Sequence, residues 1–148
     1  MRIVITFLTA VMFNGAGFAD NDTTRSTLIG VWQVENGLEE NTKSLWVFEG
    51  KGDAIRITHS KNSQIVADVE CKATGRDCEA IEDGRPAKAS LYFNGSILVE
   101  LVTRGSEVFK RRFLVQERDT MGIELISIVP DGKPQAIKLK RVKSNSAQ

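Results

Sequence analysis

The sequence predicts an all-β domain: an up-and-down antiparallel meander of about 8–10 strands, expected to close into a barrel. Three observations support it. From Leu28 onward, apolar and polar residues alternate with a period of two, β-branched residues occupy many apolar positions, and turn sequences separate the alternating segments. Because the connections are short, successive strands should be antiparallel neighbours, and such a meander removes its free edges by closing.

The N-terminus has the three parts of a secretory signal peptide. Arg2 supplies a positive charge, an apolar stretch of about 10 residues follows, and Gly17-Phe18-Ala19 forms a small-x-small end. The stretch is too short for a membrane span, which needs about 20 residues. We therefore predict cleavage after Ala19, export to the periplasm or the exterior, and a mature single domain over residues 20–148.

Charge indicates little about partners. The chain has 20 Lys and Arg against 19 Asp and Glu, and removing 19 of the 148 residues takes away Arg2 and no acid. The mature chain of 129 residues is therefore electroneutral, which favours neither nucleic acid nor an anionic membrane surface as a partner. No later segment is apolar enough to span a membrane.

Ten segments carry the strand pattern, and each ends at a turn-forming sequence. Asn94-Gly95 between two apolar runs is a strong hairpin sequence, since both residues tolerate positive φ. The polar tail from about residue 143 is expected to fray. The predicted strands are Leu28–Glu35, Ser44–Glu49, Asp53–His59, Gln64–Cys71, Cys78–Glu82, Ala87–Phe93, Ser96–Thr103, Glu107–Glu117, Met121–Pro130 and Gln135–Val142.

The segment Glu107–Glu117 carries a basic run, Lys110-Arg111-Arg112. Alternation places Arg111 on the face of Phe109 and Phe113, and the other two basic residues on the opposite face. The basic residues are expected to be solvated, with a functional anion-binding patch as the less favoured interpretation.

The two cysteines, Cys71 and Cys78, flank a turn-like sequence. In an exported protein such a close pair is expected to form a disulfide. Metal ligation lacks further ligands, because the sequence contains one His and no second Cys pair. Redox catalysis prefers a Cys-x-x-Cys spacing, which is absent.

No residue set predicts catalysis, a cofactor or a metal site. His59 at a predicted strand end is expected to be exposed rather than to act as a base. Paired carboxylates could serve a glycosidase, but Glu39-Glu40 and the group Glu79, Glu82 and Asp83 lie in loop-like stretches without apolar surroundings to raise a carboxyl pKa. The chain is therefore predicted not to be an enzyme.

Both ends of the domain resemble the lipocalin-like (calycin) barrels. The first predicted strand contains Gly30-Val31-Trp32, and the last contains Lys140-Arg141. The resemblance implies that Gly30 bends the backbone where the barrel closes and that Trp32 plugs its base. It also implies that Arg141, or Lys140 in a shifted register, packs on the indole through a cation–π contact.

Two functions follow from this architecture. The first is binding of a small hydrophobic ligand inside the barrel, unless the side chains fill the interior. The second is a protein-interaction module that acts through its loops or a strand edge, with the loop between the cysteines as the docking element. The predicted ligand-lining residues are Trp46, Phe48, Ile55, Ile57, Leu91, Phe93, Phe109 and Phe113.

Overall fold

The structure, a computed structural model, describes residues 19–35 and 43–143, and for residues 19–22 the backbone alone. One helix, α1 (Ala19–Leu28), precedes ten strands. The strands are β1 (Gly30–Val34), β2 (Ser44–Lys51), β3 (Ala54–Lys61), β4 (Gln64–Lys72), β5 (Cys78–Glu82), β6 (Arg85–Asn94), β7 (Ile97–Arg104), β8 (Glu107–Glu117), β9 (Thr120–Val129) and β10 (Gln135–Arg141).

The ten strands form a closed antiparallel barrel. Each strand pairs with its neighbours in sequence, and β1 closes the barrel by pairing with β10 as well as β2. In β1, Trp32 lies opposite Trp46 of β2 on one side and Arg141 of β10 on the other. The predicted fold class, an antiparallel meander closed into a barrel, is confirmed.

The predicted strands match the observed ones closely, except at the N-terminus of the domain. There α1 replaces the start of the first predicted strand, so that Leu28 ends a helix and the strand begins at Gly30. The helix has Arg25 in its last turn, where a positive charge suits the helix dipole. Its apolar residues are too few to show helical periodicity, and the sequence pattern therefore missed it.

Helix α1 covers one end of the barrel, called here the closed end. The Leu28 side chain is buried there. The Arg25 guanidinium donates hydrogen bonds to the carbonyl oxygens of Gly52 and, at 2.8 Å, of Ala54. These contacts hold the last turn of the helix against the β2–β3 connection.

The closed half of the barrel is filled by side chains. Phe48 and Phe113 are almost completely buried and meet edge to face with ring centroids 5.2 Å apart. Trp46 packs on the edge of Phe113 from the side of the opposite, open end, at 5.6 Å. The closed half therefore forms the hydrophobic core and leaves the space near the open end to a cavity.

The predicted disulfide between Cys71 and Cys78 is confirmed. It joins the end of β4 to the start of β5 across a Cα–Cα distance of 6.0 Å. Both cysteines lie toward the closed end, and Cys71 contributes to the core. In the part of the chain that the structure describes, no helix has the length and apolar character needed to cross a membrane.

The predicted signal peptide lies outside the described residues up to residue 18, and so does the predicted tail from residue 144. Cleavage after Ala19 would leave nearly all of α1 on the mature chain.

Candidate functional site

The open half of the barrel encloses a cavity of about 990 Å³. Its mouth lies among strand ends and turns, where Asp83, Glu107 and Pro130 are exposed. The apolar part of its wall comes from several strands around the barrel. That part consists of Val34, Trp46, Val66, Phe109, Ile123, Leu125, Val129, Ala136 and Ile137.

The residues predicted to line a ligand site divide between the cavity and the core. Trp46 and Phe109 lie in the cavity wall. The other six lie outside that wall: Phe93 is partly buried against the core, and five are core residues of the barrel. Those five are Phe48, Ile55, Ile57, Leu91 and Phe113.

A buried ionic cluster lies in the cavity wall. Arg111 of β8 points into the barrel, and its guanidinium contacts Glu82 of β5 through Nη2 and Glu100 of β7 through Nη1 at 3.3 Å. The Arg111 and Glu100 side chains are about 5% exposed, and that of Glu82 is 13% exposed. Arg111 and Glu82 line the cavity, whereas Glu100 lies behind them.

Two aromatic rings complete the surroundings of the Arg111 guanidinium. Its Cζ atom lies 5.3 Å from the centroid of Trp46 and 5.0 Å from that of Phe109. Both distances are within the range of cation–π attraction. The guanidinium is thus held by two carboxylates and two rings, which fixes it in the wall.

Burial and neighbouring charges shift the pKa values of this cluster in opposite directions. Burial raises the pKa of Glu100, and the positive charge of Arg111 lowers it by less, so the net direction is upward. For Arg111, burial lowers the pKa, but the charges of Glu100 and Glu82 outweigh it and the net direction is upward. Arg111 therefore stays charged.

His59 also belongs to the site. Its ring stacks on Trp46 with centroids 4.0 Å apart, and its Nε2 atom shares a 2.8 Å hydrogen bond with the Ser44 hydroxyl. Burial, with the nearby charges of Arg111 and Lys61, lowers its pKa to about 4. At neutral pH the imidazole is uncharged and forms a polar edge of an aromatic wall.

These charged and polar positions correct three expectations. Arg111 is buried rather than solvated, whereas Arg112 lies on the outer face and contacts Glu124. Glu82 is the last residue of β5, as the predicted strand Cys78–Glu82 has it, but it faces the cavity rather than a loop without apolar surroundings. His59 is partly buried rather than exposed.

Sequence alternation contained a signal for the cluster. It placed Arg111 on the face of Phe109 and Phe113, and Glu100 on the face of Leu98 and Val102. Each charge therefore stood on an apolar face. We nevertheless expected solvated side chains, because charged residues are rarely buried without a partner. The carboxylates that permit burial of Arg111 lie on other strands.

The base of the barrel is closed by Trp32. The Arg141 Cζ atom lies 4.2 Å from the centroid of the indole, and Arg141 donates hydrogen bonds of 2.8 Å to the carbonyl oxygens of Ile29 and Thr27. The indole Nε1 atom donates to the Leu28 carbonyl at 2.9 Å. Lys140 points outward and pairs with Glu35.

Gly30 makes room for this arrangement. Its φ of +142° is one that residues with a side chain rarely adopt, and a Cβ atom there would lie 2.5 Å from Nη1 of Arg141. A larger residue would therefore displace the guanidinium from the carbonyl of Ile29.

No group of three or more His, Cys, Asp or Glu side chains in residues 19–35 and 43–143 could hold a metal ion.

Comparison with known proteins shows resemblance in structure. No protein-family model matches the chain, and no curated protein matches it in sequence. Fatty acid-binding protein 1 of Echinococcus granulosus superposes with a TM-score of 0.66 at 11% identity, over 80% of this chain and 99% of that one. A Schistosoma mansoni fatty acid binding protein, solved in complex with arachidonic acid, gives 0.66 at 15%, over 81% and 99%.

A further structure extends this set. Secretory abundant heat soluble protein 4 of Ramazzottius varieornatus superposes with a TM-score of 0.64 at 13% identity, over 79% of this chain and 96% of that one. The chain has the fatty-acid-binding-protein type of calycin fold. At these identities the likeness concerns the fold alone, and it covers almost the whole length of the other chains.

Proposed function

We propose that this chain is an exported, non-enzymatic binding protein that holds a small hydrophobic ligand inside its barrel. The cavity of about 990 Å³ carries the proposal, because it lies at the upper end of the range typical of small-molecule sites. A barrel of this kind need not be hollow, since side chains can fill a small one.

The lining supports a ligand with a long apolar part and a small polar part. Apolar side chains from β1, β8, β9 and β10 make up much of the wall. Polar residues occur around the lining, and among them Arg111 contacts Glu82 and lies beside Trp46, on which His59 stacks. Polar groups that are held in place by such contacts can orient a ligand whose remainder packs on the apolar part of the wall. Two of the structural neighbours are named fatty acid-binding proteins, and one of them was solved with arachidonic acid, which supports such a ligand class.

Native mass spectrometry of protein purified from its own host tests the proposal. We expect a bound mass of lipid size that is lost on delipidation. A stoichiometric protein partner in place of that mass would support the interaction module instead. Neither adduct, together with no binding of added amphiphiles, would contradict the proposed function.

Filling the cavity provides a second test. Leu125 and Ile128 both belong to β9, but Leu125 lines the cavity and Ile128 is exposed outside it. We expect Leu125→Trp to reduce ligand affinity at least tenfold, because the indole occupies the ligand volume. The matched control Ile128→Trp should leave affinity within about twofold, measured by isothermal titration calorimetry. Equal affinities in the two variants would place the ligand elsewhere.

A further inference from the structure

We propose that the cavity selects an amphiphile whose polar group donates hydrogen bonds, such as an alcohol or a protonated amine, and discriminates against an anionic headgroup. Glu82 is the acceptor that meets this group. The inference rests on the proposed function and names the ligand class for the same cavity.

The positive charge inside the barrel is already compensated. Arg111 contacts Glu82 and Glu100, so the three groups together carry a net charge of zero or below. An anion placed beside Arg111 would have to displace Glu82 or lie next to it. Either arrangement brings two negative charges together away from water, which is costly.

Glu82 is the carboxylate placed to contact a ligand. It lines the cavity and retains some exposure, whereas Glu100 lies behind the guanidinium and outside the cavity wall. A carboxylate accepts several hydrogen bonds, and Glu82 uses one oxygen, Oε2, for Arg111. Its acceptor capacity therefore suits a hydroxyl or an ammonium group from the cavity side.

Among the described residues around this cluster, the other basic groups are uncharged, paired with acids or exposed to solvent. His59 is uncharged at neutral pH, since burial lowers its pKa to about 4. At the mouth, Arg104 is engaged by both Asp83 and Glu107. This second group also carries one arginine between two acids, so the mouth repeats the charge balance of the interior.

Two lysines also belong to the lining of the cavity. Lys61 and Lys138 line the cavity but are exposed. Their attraction for an anion is weakened by solvent and by salt. An anionic ligand held by them would lose affinity with ionic strength, which provides a way to recognise that mode of binding.

The test compares three ligands of equal chain length with the unsubstituted protein at neutral pH: dodecanol, dodecylamine and dodecanoate. Trp46 lies in the cavity wall and reports binding through its fluorescence, with Trp46→Phe as the control for that assignment. We expect dodecanol, dodecylamine or both to bind about tenfold more tightly than dodecanoate. Dodecanoate binding as tightly as both others would overturn the inference.

A substitution tests the role of Glu82. Glu82→Gln removes the charge that faces the cavity and leaves the shape, so we expect dodecylamine to lose about tenfold in affinity and dodecanoate to gain. The matched control is Glu124→Gln, which removes a carboxylate paired with Arg112 on the outer face. An unchanged order of affinities in a folded Glu82→Gln variant would overturn the assignment. If that variant does not fold, the comparison in the unsubstituted protein still decides.

Different results would contradict the proposed function and the proposed ligand class. Binding of none of the three ligands, to a protein stripped of bound material, would contradict the proposed function itself. Binding of all three with dodecanoate the tightest would leave the proposed function intact and contradict the ligand class. Loss of weak dodecanoate binding at high salt would show that exposed charges rather than the buried cluster hold the anion, as the inference expects.

Discussion

At the scale of single residues, the adjacent arginines Arg111 and Arg112 show how alternation in a strand decides the fate of a charge. The two belong to β8 and are equally polar, but one faces the barrel and the other its outer surface. The buried charge of Arg111 is compensated by Glu82 and Glu100. Arg112 contacts Glu124 on the outer surface, where water can solvate both groups if the contact is lost. Their contributions to stability should therefore differ widely.

We predict that Arg111→Met lowers the free energy of unfolding by about 3–5 kcal/mol at neutral pH, because it leaves buried carboxylates unpaired. The matched Arg112→Met should cost less than about 1 kcal/mol. The loss of stability caused by Arg111→Met should become smaller as pH falls. Without Arg111 the pKa of Glu100 rises further above its ordinary value, so Glu100 becomes protonated, and a protonated carboxyl group needs no counter-charge. Urea denaturation of both variants at several pH values measures these changes. Equal losses of stability in the two variants would contradict the conclusion that Arg111 compensates buried carboxylates.

A second residue-scale prediction concerns His59. Its pKa is about 4 in the folded chain and about 6.5 when unfolded, so between these values the unfolded chain binds more protons. Stability is therefore fully present above about pH 6.5 and is lost as pH falls toward 4, by at most about 3 kcal/mol. His59→Gln should show a smaller loss across that window.

The difference between the two chains isolates the histidine. Glu100, whose raised pKa acts with the opposite sign in the same region, is present in both and cancels. Parallel stability curves for the two chains between pH 4 and 6.5 would show that His59 titrates normally in the folded protein.

At the scale of elements, the two ends of the barrel have different tasks. Helix α1, Trp32 and Arg141 close one end through hydrogen bonds to backbone carbonyls. The disulfide lies toward the same end, between β4 and β5. The mouth is formed by the opposite turns. Changes at the closed end should therefore alter stability and leave ligand affinity nearly unchanged.

The disulfide tests this separation. We predict that Cys71→Ala with Cys78→Ala lowers the free energy of unfolding by about 2–3 kcal/mol, since the bond closes a short loop. Ligand affinity should change by less than about twofold, because neither cysteine lines the cavity. Denaturation and calorimetry on the same preparations measure the two effects. A large loss of affinity in the folded variant would show that the two ends are coupled.

At the scale of the whole molecule, the barrel is packed in one half and hollow in the other. Phe48 and Phe113 fill the closed half, whereas the open half holds the cavity beside Arg111. The packed half supplies the hydrophobic stabilisation, and the hollow half is free to hold a ligand. The proposed export also belongs to this scale, because it decides where such a ligand would be met.

We predict that the mature protein begins at Asp20 and is found in the periplasmic or secreted fraction with its disulfide formed. Cell fractionation followed by intact-mass analysis, with and without reduction, measures both. A chain beginning there retains Arg25 and Leu28, which hold α1 on the barrel. Recovery of the full 148-residue chain with reduced cysteines in the cytoplasm would contradict the export proposal.

Local pattern was sufficient for most of the fold. Period-two alternation and Gly-containing turns such as Asn94-Gly95 predicted the ten strands, because strand and hairpin formation depend on neighbours in sequence. Helix α1 was missed, since its position depends on contacts with the β2–β3 connection rather than on its own pattern.

The sequence by itself determined the all-β class, the order of the strands and the disulfide. Only the tertiary structure decided which apolar faces fill the core and which surround a cavity, and that Glu82, Glu100 and Arg111 meet inside. Glu82 and Arg111 are 29 positions apart. Glu100 already lies opposite Arg111 in the β7–β8 pair, whereas Glu82 belongs to β5 and reaches Arg111 only because the sheet curls into a barrel. A charge can be buried when such partners compensate it.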